Sequence, residues 1–298
     1  MSRVLVLGNA TLDVIQRVER LPAPGETVLA IATTRCAGGK GLNQAISAAR
    51  TGASTLLVAP IGEDADGAVL ADSLKDEAGL EVNWLACNVP TDFSSIWVAT
   101  GGENVIVSSA DCARSVTADQ ARRPCSTLAV GDVLLMQGNL RADTTRAALE
   151  MARMRGATCV LNTAPIAWDM RGILRFFDIV VANEGEAACL AAGTSSLMAS
   201  LRERGVRTAI ITRGPRGALI VDDGKETAID APQVTAVDTA GAGDVLVGTL
   251  AGLLTNRIPL SSAVTVAVAA ASLSVTRLNT TPSFPSRPEI AALAGRVM

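Results

Sequence analysis

The sequence predicts an α/β fold in which a doubly wound, mostly parallel sheet carries helices on both faces, with a small β-sheet lid beside it. Short β-branched apolar runs alternate with segments of helical length, which is typical of this class. Within each run apolar residues are nearly continuous, as expected for strands that are buried on both faces. The 298 residues, 49% of them hydrophobic and 18% charged, suit one large core with a smaller appendage.

The predicted core strands share this apolar, β-branched composition. They are RVLVLG (3–8), TLLVAPIG (55–62), DVLLMQG (132–138), TCVLNTAP (158–165), DIVVANEGE (178–186) and TAIITRGPRG (208–217). Helical periodicity is found at 42–52 and 144–156, and then over most of the C-terminal third, at 243–256, 260–276 and 287–297. The alternation of strands with helices predicts parallel pairing in the core.

Two segments break this alternation and predict a second, smaller sheet. Residues 12–35 and 93–109 have alternating apolar positions and Pro/Gly turns, which indicates strand-turn-strand pieces. We therefore expect a single domain over 1–298, with a lid formed by about 12–35 and 93–109. Apolar residues of this lid, Val28, Ile31, Ile96 and Val98 among them, would form a face that its own domain does not bury.

Composition excludes several kinds of chemistry. The chain contains no histidine and no tyrosine, which excludes Ser-His-Asp catalysis and histidine metal sites, so proton transfer falls to Asp, Glu, Lys or Cys. Its six cysteines are scattered without a C-x-x-C pair, which favours reduced thiols. A net charge of −3 gives no reason to expect nucleic-acid binding. The apolar run 263–275 is too short for a membrane span and the start lacks a signal-peptide pattern, so we expect a cytoplasmic protein.

Polar residues follow the predicted strands one after another. The set consists of Asn9 and Asp13, Asn139, Asn162, Asn183 with Glu186, and Thr212 with Arg213 and Gly214. Strand ends need turns and caps, which would explain any one of them. Because parallel strands end at the same edge of a sheet, the whole row favours a ligand cleft there.

The segment CAGGKGLNQAISAAR (36–50) places a lysine between two glycines at the start of a helix. It does not satisfy the Walker A pattern, and it could be a glycine turn that leads into a helix. Gly39 and Gly41 would nevertheless allow the backbone at Lys40 to approach a ligand closely, and Asn43 could bind a hydroxyl. We interpret the segment as a polyol-binding element.

The segment AVDTAGAGD (236–244) combines small residues with an aspartate at a predicted helix start. Backbone N–H groups of Gly241, Ala242 and Gly243 would stabilise a transferring phosphoryl group. Asp244 could be an ordinary N-terminal cap. With histidine absent, it is also the best candidate for the base that accepts a hydroxyl proton.

Two further strand ends have the composition of a nucleotide site. Asn183 and Glu186 lie three residues apart at a helix start, where they could cap the helix or hold a hydrated Mg²⁺. The segment TRGPRG (212–217) could be a simple turn or a backbone shelf for a nucleotide.

Together these motifs resemble the ribokinase (PfkB) family of carbohydrate kinases along almost the whole chain. The matching landmarks occur in the order of the family: G-N-x-x-x-D (8–13), PAPGET (22–27), GGKGLNQA (38–45), GENVI (102–106), LNTAP (161–165), NEGEA (183–187), TRGPRG (212–217), DTAGAGD (238–244) and VTRLNTTPSFP (275–285). The resemblance implies a ribokinase-like fold, with ATP and Mg²⁺ as cosubstrates and a monovalent cation, usually K⁺, close to the anion hole.

The resemblance also implies roles for individual residues. Asp244 would be the catalytic base, and Gly241, Ala242 and Gly243, with the N–H of Asp244, would form the anion hole. The acceptor would be held by Thr11, Asp13, Gly39, Lys40, Asn43, Asn139 and Asp244. The nucleotide would contact Asn183, Thr212, Arg213, Gly214, Gly217, Gly243, Val268 and Asn279, and Glu186 would organise Mg²⁺ through water. The monovalent cation would be held by Asp238, Ala240, Ser274, Arg277, Asn279 and Ser283, mostly through backbone carbonyls.

Three positions depart from the family pattern. Asn139 replaces the glutamate that contacts the sugar in ribokinases, Thr11 replaces an asparagine, and Asn279 replaces a glycine of the cation loop. We therefore expect an ATP-dependent kinase for a ribose-like sugar or a related carbohydrate. A nucleoside kinase, with Phe93 or Trp97 against the base, and a non-catalytic sugar-binding regulator are the alternatives. The resemblance also implies a homodimer joined through the lids.

Overall fold

Two β-sheets organise the chain in the computed structural model, which describes residues 2–191 and 197–297. The strands are β1 (Arg3–Leu7), β2 (Thr11–Val18), β3 (Ala32–Gly38), β4 (Ser54–Gly62), β5 (Leu80–Cys87), β6 (Phe93–Ala99), β7 (Asn104–Ser108), β8 (Val133–Met136), β9 (Thr158–Asn162), β10 (Ile179–Asn183), β11 (Thr208–Thr212), β12 (Ala218–Asp222) and β13 (Lys225–Ile229). The helices are α1 (Lys40–Ala49), α2 (Ala65–Ser73), α3 (Asp111–Ser115), α4 (Ala118–Cys125), α5 (Ala142–Met154), α6 (Glu184–Leu190), α7 (Leu197–Glu203), α8 (Ala242–Thr255), α9 (Leu260–Ser274) and α10 (Arg287–Ala294).

The larger sheet has nine strands in the order β13-β12-β11-β10-β9-β8-β1-β4-β5. Pairing is parallel from β5 through β11 and antiparallel for β12 and β13. The chain lays β4 and β5 on one side of β1 and then returns to place β8 on the other. This reversal between β1 and β8 opens a crevice at the carboxyl ends of the strands, where ligands of such folds bind.

Side chains of β1 alternate between two cores that lie on opposite faces of this sheet. Val4 and Val6 join the cluster that contains residues of α1, α8 and α9. Leu5 and Leu7 join the cluster that contains residues of α4 and α5. The strand is buried on both sides, which explains its continuous apolar sequence.

The helices α1 and α8 lie side by side and run in the same direction. Two glycines one turn apart on α8 make this possible, because a Cβ at Gly248 would collide with the backbone oxygen of Gln44. A Cβ at Gly252 would lie 2.8 Å from the backbone oxygen of Ala48. The close approach brings the first turns of the two helices together.

The smaller sheet has the order β3-β2-β6-β7, with β2 and β6 parallel and the outer pairs antiparallel. Its register places Asp13 opposite Ser94. The predicted small sheet is therefore confirmed, and we call it the lid sheet. Its division from the rest of the domain, over about 12–35 and 93–109, stays a prediction.

The apolar face of the lid sheet differs from the prediction. Ile96 and Val98 lie in β6 as expected, but Val28 and Ile31 lie in the connection between β2 and β3, outside any strand. Pro22 and Pro24 interrupt this connection, and proline cannot donate to a strand ladder. Ile31 is nevertheless exposed, and further exposed apolar residues occur on β7, where the exposed fractions of Ile106 and Val107 are 57% and 65%.

The predicted core strands and helices are present, with ends shifted by a few residues. Strands β5, β12 and β13 were not anticipated. The sequence of β5, LEVNWLAC, and that of β13, KETAI, are mixed with polar residues because both strands lie at the edges of the large sheet. Within 2–191 and 197–297, no helix is both long and apolar enough to cross a bilayer.

Candidate active site

Asp244 lies in the first turn of α8, and its carboxylate is held by residues of α1. Its Oδ2 accepts a hydrogen bond from Nδ2 of Asn43 and its Oδ1 accepts one from Nε2 of Gln44, each at 2.9 Å. Nζ of Lys40 lies 3.9 Å from Oδ1. Asp244 is only 5% exposed. A buried charge requires hydrogen-bond partners, and both of its carboxylate oxygens have a donor.

Glycines at the start of α1 are required by close backbone contacts. Gly39 has φ = 93°, and a Cβ there would lie 2.9 Å from the backbone nitrogen of Thr11. A Cβ at Gly41 would lie 2.6 Å from the backbone of Asn9, whose Oδ1 accepts from the N–H of Gly41 at 3.2 Å. The glycine-turn interpretation is therefore correct for the backbone, and the same geometry carries Lys40 to Asp244.

The side chain of Asn43 uses its nitrogen in a hydrogen bond and leaves its oxygen without one. Its Nδ2 donates to Asp244, whereas its Oδ1 is buried and has no hydrogen-bond partner among the described residues. A buried acceptor without a donor costs about 1–3 kcal/mol. A ligand hydroxyl at this position would remove that cost.

Asp13 is a second buried carboxylate in the same region. Its Oδ1 accepts from Oγ1 of Thr11 at 2.7 Å, and the hydroxyl of Ser94 also hydrogen-bonds to it. Burial raises the pKa of Asp13, the two hydroxyls oppose this, and the negative charge of Asp244 adds to the rise. Two carboxylates, one on the lid sheet and one on the core, are thus close enough to interact electrostatically.

The start of α8 is open. Gly241 occupies the N-cap in the left-handed region, with φ = 78°, and no side chain of the described residues caps it. A Cβ at Gly241 would lie 2.8 Å from both Phe284 and Thr280, whereas one at Gly243 would have no described atom within 4 Å. The N–H of Ala242 donates to the carbonyl of Thr239 at 3.4 Å. The other first-turn N–H groups have no acceptor within their own helix, so this end of α8 suits an anion.

Asp238 ties two loops together beside this helix start. Its Oδ1 accepts from the N–H of Ala240 at 3.0 Å, and its Oδ2 accepts from the N–H of Asn279 at 3.2 Å. Asn279 has φ = 70°, a conformation that favours glycine, which is the residue the family pattern has there. Asp238 therefore acts as a clamp, and its carboxylate oxygens are already engaged.

The other predicted cation residues have their side chains occupied within the protein. The hydroxyl of Ser274 donates to the carbonyl of Ala271 and that of Ser283 to the carbonyl of Thr280. The guanidinium of Arg277 pairs with Glu289. What these residues still offer a cation is their backbone carbonyls.

Asn183 and Glu186 form a reciprocal capping box at the start of α6. Oδ1 of Asn183 accepts from the N–H of Glu186 at 2.8 Å, and Oε2 of Glu186 accepts from the N–H of Asn183 at 3.1 Å. Glu186 also accepts from Oγ1 of Thr163 at 2.9 Å. Helix capping accounts for this pair, and the pair neighbours Thr212 across the β10–β11 register.

The segment 212–217 turns tightly at the end of β11. Gly214 and Gly217 both have positive φ, at 56° and 81°, and a Cβ at Gly217 would collide with the carbonyl of Ile229. Arg213 has a buried Nε without a partner in the described chain. Val268, predicted to contact the nucleotide, lies in α9 as part of the core and is 3% exposed.

The remaining predicted residues lie at the edge of the site. Asn139 follows β8, and its Oδ1 is buried with no partner in the parts of the chain described. Of the two lid aromatics, Trp97 donates its Nε1–H to Gln16 at 3.0 Å, whereas Phe93 is 48% exposed. Phe93 is thus the more exposed of the two rings.

Sequence reasoning missed Gln44 and Gln137. Gln44 contacts Asp244 directly, and Nε2 of Gln137 donates to Oε1 of Gln44 at 2.8 Å. Gln44 stands next to Asn43 in the glycine-lysine motif, and Gln137 is a polar residue that ends an apolar strand run. Those two signals, taken together, could have indicated a buried amide pair.

No acidic or thiol cluster in 2–191 or 197–297 has three or more groups that could enclose a metal ion.

Comparison with known proteins identifies the family of the chain. The family model described as pfkB family carbohydrate kinase matches residues 1–287. A ribokinase of Haemophilus influenzae is 31% identical in an alignment of 293 positions that covers 95% of each chain. A ribokinase structure from Thermotoga maritima superposes with a TM-score of 0.89 at 27% identity, covering 99% of this chain and 100% of the other. Arabidopsis thaliana ribokinase complexed with ribose and ATP gives a TM-score of 0.86 at 27% identity, with 99% of each chain covered.

Proposed function

Because the chain belongs to the pfkB family of carbohydrate kinases, we propose that it transfers the γ-phosphoryl group of ATP to a hydroxyl of a ribose-like sugar. The observation that carries the proposal is the buried carboxylate of Asp244, held by two amide donors at the open N-terminus of α8. A base and an anion-binding helix end then lie on the same turn, and phosphoryl transfer to an alcohol uses both functions.

Asp244 is the general base in this proposal. Its carboxylate accepts the proton of the attacking hydroxyl, whose oxygen forms a bond to phosphorus while the bond from phosphorus to the β-phosphate oxygen breaks. ADP leaves with that electron pair. The N–H groups of Gly241, Ala242, Gly243 and Asp244 stabilise the charge on the transferring group.

The acceptor binds between the lid sheet and α1. Asp13 and Thr11 come from β2, and Lys40 and Asn43 come from α1 behind the turn at Gly39. The free Oδ1 of Asn43 accepts a hydrogen bond from a sugar hydroxyl, and the buried Oδ1 of Asn139 offers a second such acceptor. Asn139 is uncharged, so it holds a neutral sugar without the charge that a glutamate would add.

The nucleotide binds along the ends of β10 and β11. Asn183, Thr212 and the turn through Arg213, Gly214 and Gly217 supply backbone and amide groups, and Val268 and Asn279 lie toward the C-terminal helices. Because Asn183 and Glu186 are already paired with each other, we assign them a smaller share of ATP binding than the open start of α8.

Mg²⁺ and a monovalent cation complete the proposal. When bound, Mg²⁺ neutralises phosphate charge, and Glu186 would hold it through water because its carboxylate is part-buried and already accepts three hydrogen bonds. K⁺ would be held near Asp238 by backbone carbonyls of Ala240, Ser274, Arg277, Asn279 and Ser283, since the side chains of the serines and of Arg277 are occupied.

We also propose that two copies associate through their lid sheets. The support is the exposed apolar surface at Ile31, Ile106 and Val107, which are 65%, 57% and 65% exposed. A dimer in light scattering at micromolar concentration is expected, and conversion to monomer by Ile106→Lys would identify the lid sheet as the interface. A monomeric wild-type protein would contradict it.

An ADP-release screen tests the reaction. We expect turnover with ribose or a closely related pentose or deoxysugar, stimulated by K⁺, and background release with hexoses. Preferential turnover of nucleosides would favour the nucleoside-kinase alternative, for which the exposed ring of Phe93 is the supporting observation. ADP release no greater than with ATP alone, across all sugars and nucleosides, would reject the kinase assignment.

A further inference from the structure

Behind the base lies a chain of two buried amides that ends on its carboxylate. Gln137, immediately after β8, donates to Gln44 on α1, and Gln44 donates to Oδ1 of Asp244. We propose that Gln44 and Gln137 are positioning residues, which fix the direction in which Asp244 presents its carboxylate to the attacking hydroxyl. This inference rests on the proposed kinase reaction.

Hydrogen-bond chemistry orients the amide chain in one sense. An ionised carboxylate accepts but cannot donate, so Gln44 must turn its Nε2 toward Asp244 and its Oε1 toward Gln137. Gln137 must then present its own Nε2, at 2.8 Å from that oxygen. Each amide therefore has one admissible orientation while Asp244 is charged.

The two amide side chains are sealed from solvent. Gln44 and Gln137 are both 0% exposed, so water cannot replace either amide without rearrangement of the core. Oε1 of Gln137 has no hydrogen-bond partner among the described residues, and a Cβ at Gly8 would collide with it. A buried polar group with an unmet acceptor is a cost to folding, which argues that the Nε2 end of Gln137 serves a purpose.

The place of the chain in the fold explains what it fixes. Gln137 and Gly8 follow β8 and β1, the two strands between which the large sheet reverses. Gln44 lies on α1, which Gly248 brings against α8. The amide chain thus joins the rigid sheet to the helix that carries the base, whereas Asn43 holds the other carboxylate oxygen from the cleft side.

Replacement of Gln44 by methionine keeps the volume and removes the donor. We expect Gln44→Met to lower kcat about 10- to 100-fold, since a small misplacement of a reacting group has an effect of that size. KM for the sugar and for ATP should stay within about twofold, because neither amide faces a substrate. Gln137→Met should lower kcat less, by about tenfold, since Gln44 keeps its bond to Asp244.

A double-mutant cycle separates positioning from general loosening. The variant with both substitutions should match Gln44→Met, because Gln137 acts through Gln44. In an Asp244→Asn background, Gln44→Met should have no further effect on the residual rate. Multiplicative losses in the double variant, or an added loss in the Asp244→Asn background, would overturn the proposal.

Thr145→Val is the matched control for the loss of a buried polar group. Its hydroxyl is buried without a partner in the described residues and lies on α5, on the opposite face of the sheet. It should leave kcat unchanged. If Gln44→Met turns over like the wild-type protein, positioning is wrong and the kinase assignment stands. If the wild-type protein turns over no acceptor, both are wrong.

Discussion

The helices α6 and α8 begin at the same edge of the large sheet in opposite ways. At α6, Asn183 and Glu186 satisfy each other's backbone N–H groups in a capping box. At α8, Gly241 supplies no side chain, and the first turn instead carries Asp244, which is bound by residues of another helix. A closed start satisfies its own N–H groups, whereas an open start leaves most of its N–H groups for a ligand. The comparison therefore supports the proposal that α8 is the reacting end of the cleft and that α6 has the smaller part.

Of the substitutions at the start of α8, Asp244→Asn should lower activity the most. Loss of the base is expected to lower kcat about 10²- to 10⁴-fold, while the affinity for ATP changes little. One of the amides of Asn43 and Gln44 must then turn or lose its hydrogen bond, so thermal unfolding is measured beside ADP release and ATP titration. A folded variant that keeps more than a tenth of the wild-type kcat would remove Asp244 from the reaction.

Gly243→Ala and Gly185→Ala compare the second residue of each helix. A Cβ at Gly243 meets no described atom, so alanine should stabilise the protein by at most about 1 kcal/mol. It would nevertheless enter the space of the transferring group, and we expect kcat to fall about tenfold. Gly185→Ala is the matched control and should leave kcat unchanged. Equal activities for both variants would mean that no ligand approaches the start of α8.

Asn183→Ala should act mainly on stability. Loss of the N-cap is expected to lower the free energy of unfolding by about 1 kcal/mol, with little change in kcat and a several-fold higher KM for ATP. Asn183→Ser keeps a capping oxygen and should restore the unfolding temperature. If ATP affinity remains wild-type in Asn183→Ala, the amide has no part in nucleotide binding. A large fall in kcat would show instead that the closed start also takes part in the reaction.

The pH dependence of stability should distinguish a carboxylate paired with an arginine, Glu289, from a buried one, Asp13. A hydrogen bond from Arg277 lowers the pKa of Glu289 from 4.5 to about 2. Its contribution is therefore present at neutral pH and lost as the pH falls from 4.5 through 2. Glu289→Gln should be less stable than the wild-type protein at pH 7 and equal to it near pH 2.

Asp13 should behave with the opposite sign. Burial raises its pKa above 3.8, because the charged form is disfavoured in the folded protein. The free energy of unfolding is therefore greatest below pH 3.8, where Asp13 is protonated, and it falls as the pH rises through the raised pKa. Asp13→Asn should gain stability relative to the wild-type protein between pH 3 and pH 7, while sugar turnover is lost. Thermal unfolding across this range checks both variants. An unfolding difference that does not vary with pH would contradict the assignment of these carboxylates.

Features that depend on residues adjacent in the sequence could be predicted, whereas contacts between distant residues could not. The apolar runs predicted the core strands because both faces of those strands are buried, and the motifs around Lys40 and Asp244 each lie on one helix start. Gln137 and Gln44 are 93 residues apart, and nothing local marks them as partners. Val28 and Ile31 were placed in a strand because alternation was visible, whereas the prolines before them carry the chain out of the ladder. Strands such as β13 are recognisable from their pairing rather than from their composition.

The glycines of α8 have a consequence for how such an enzyme diversifies. Gly248 and Gly252 fix the base against α1 from inside the core, whereas Asp13 and Ser94 belong to the lid sheet. In the proposed site, substitutions in the lid sheet would therefore alter the choice of acceptor without moving the base. A lineage, or a protein engineer, is free to vary substrate preference there. Replacement of Gly248 or Gly252 by a larger residue would instead lower activity with every substrate.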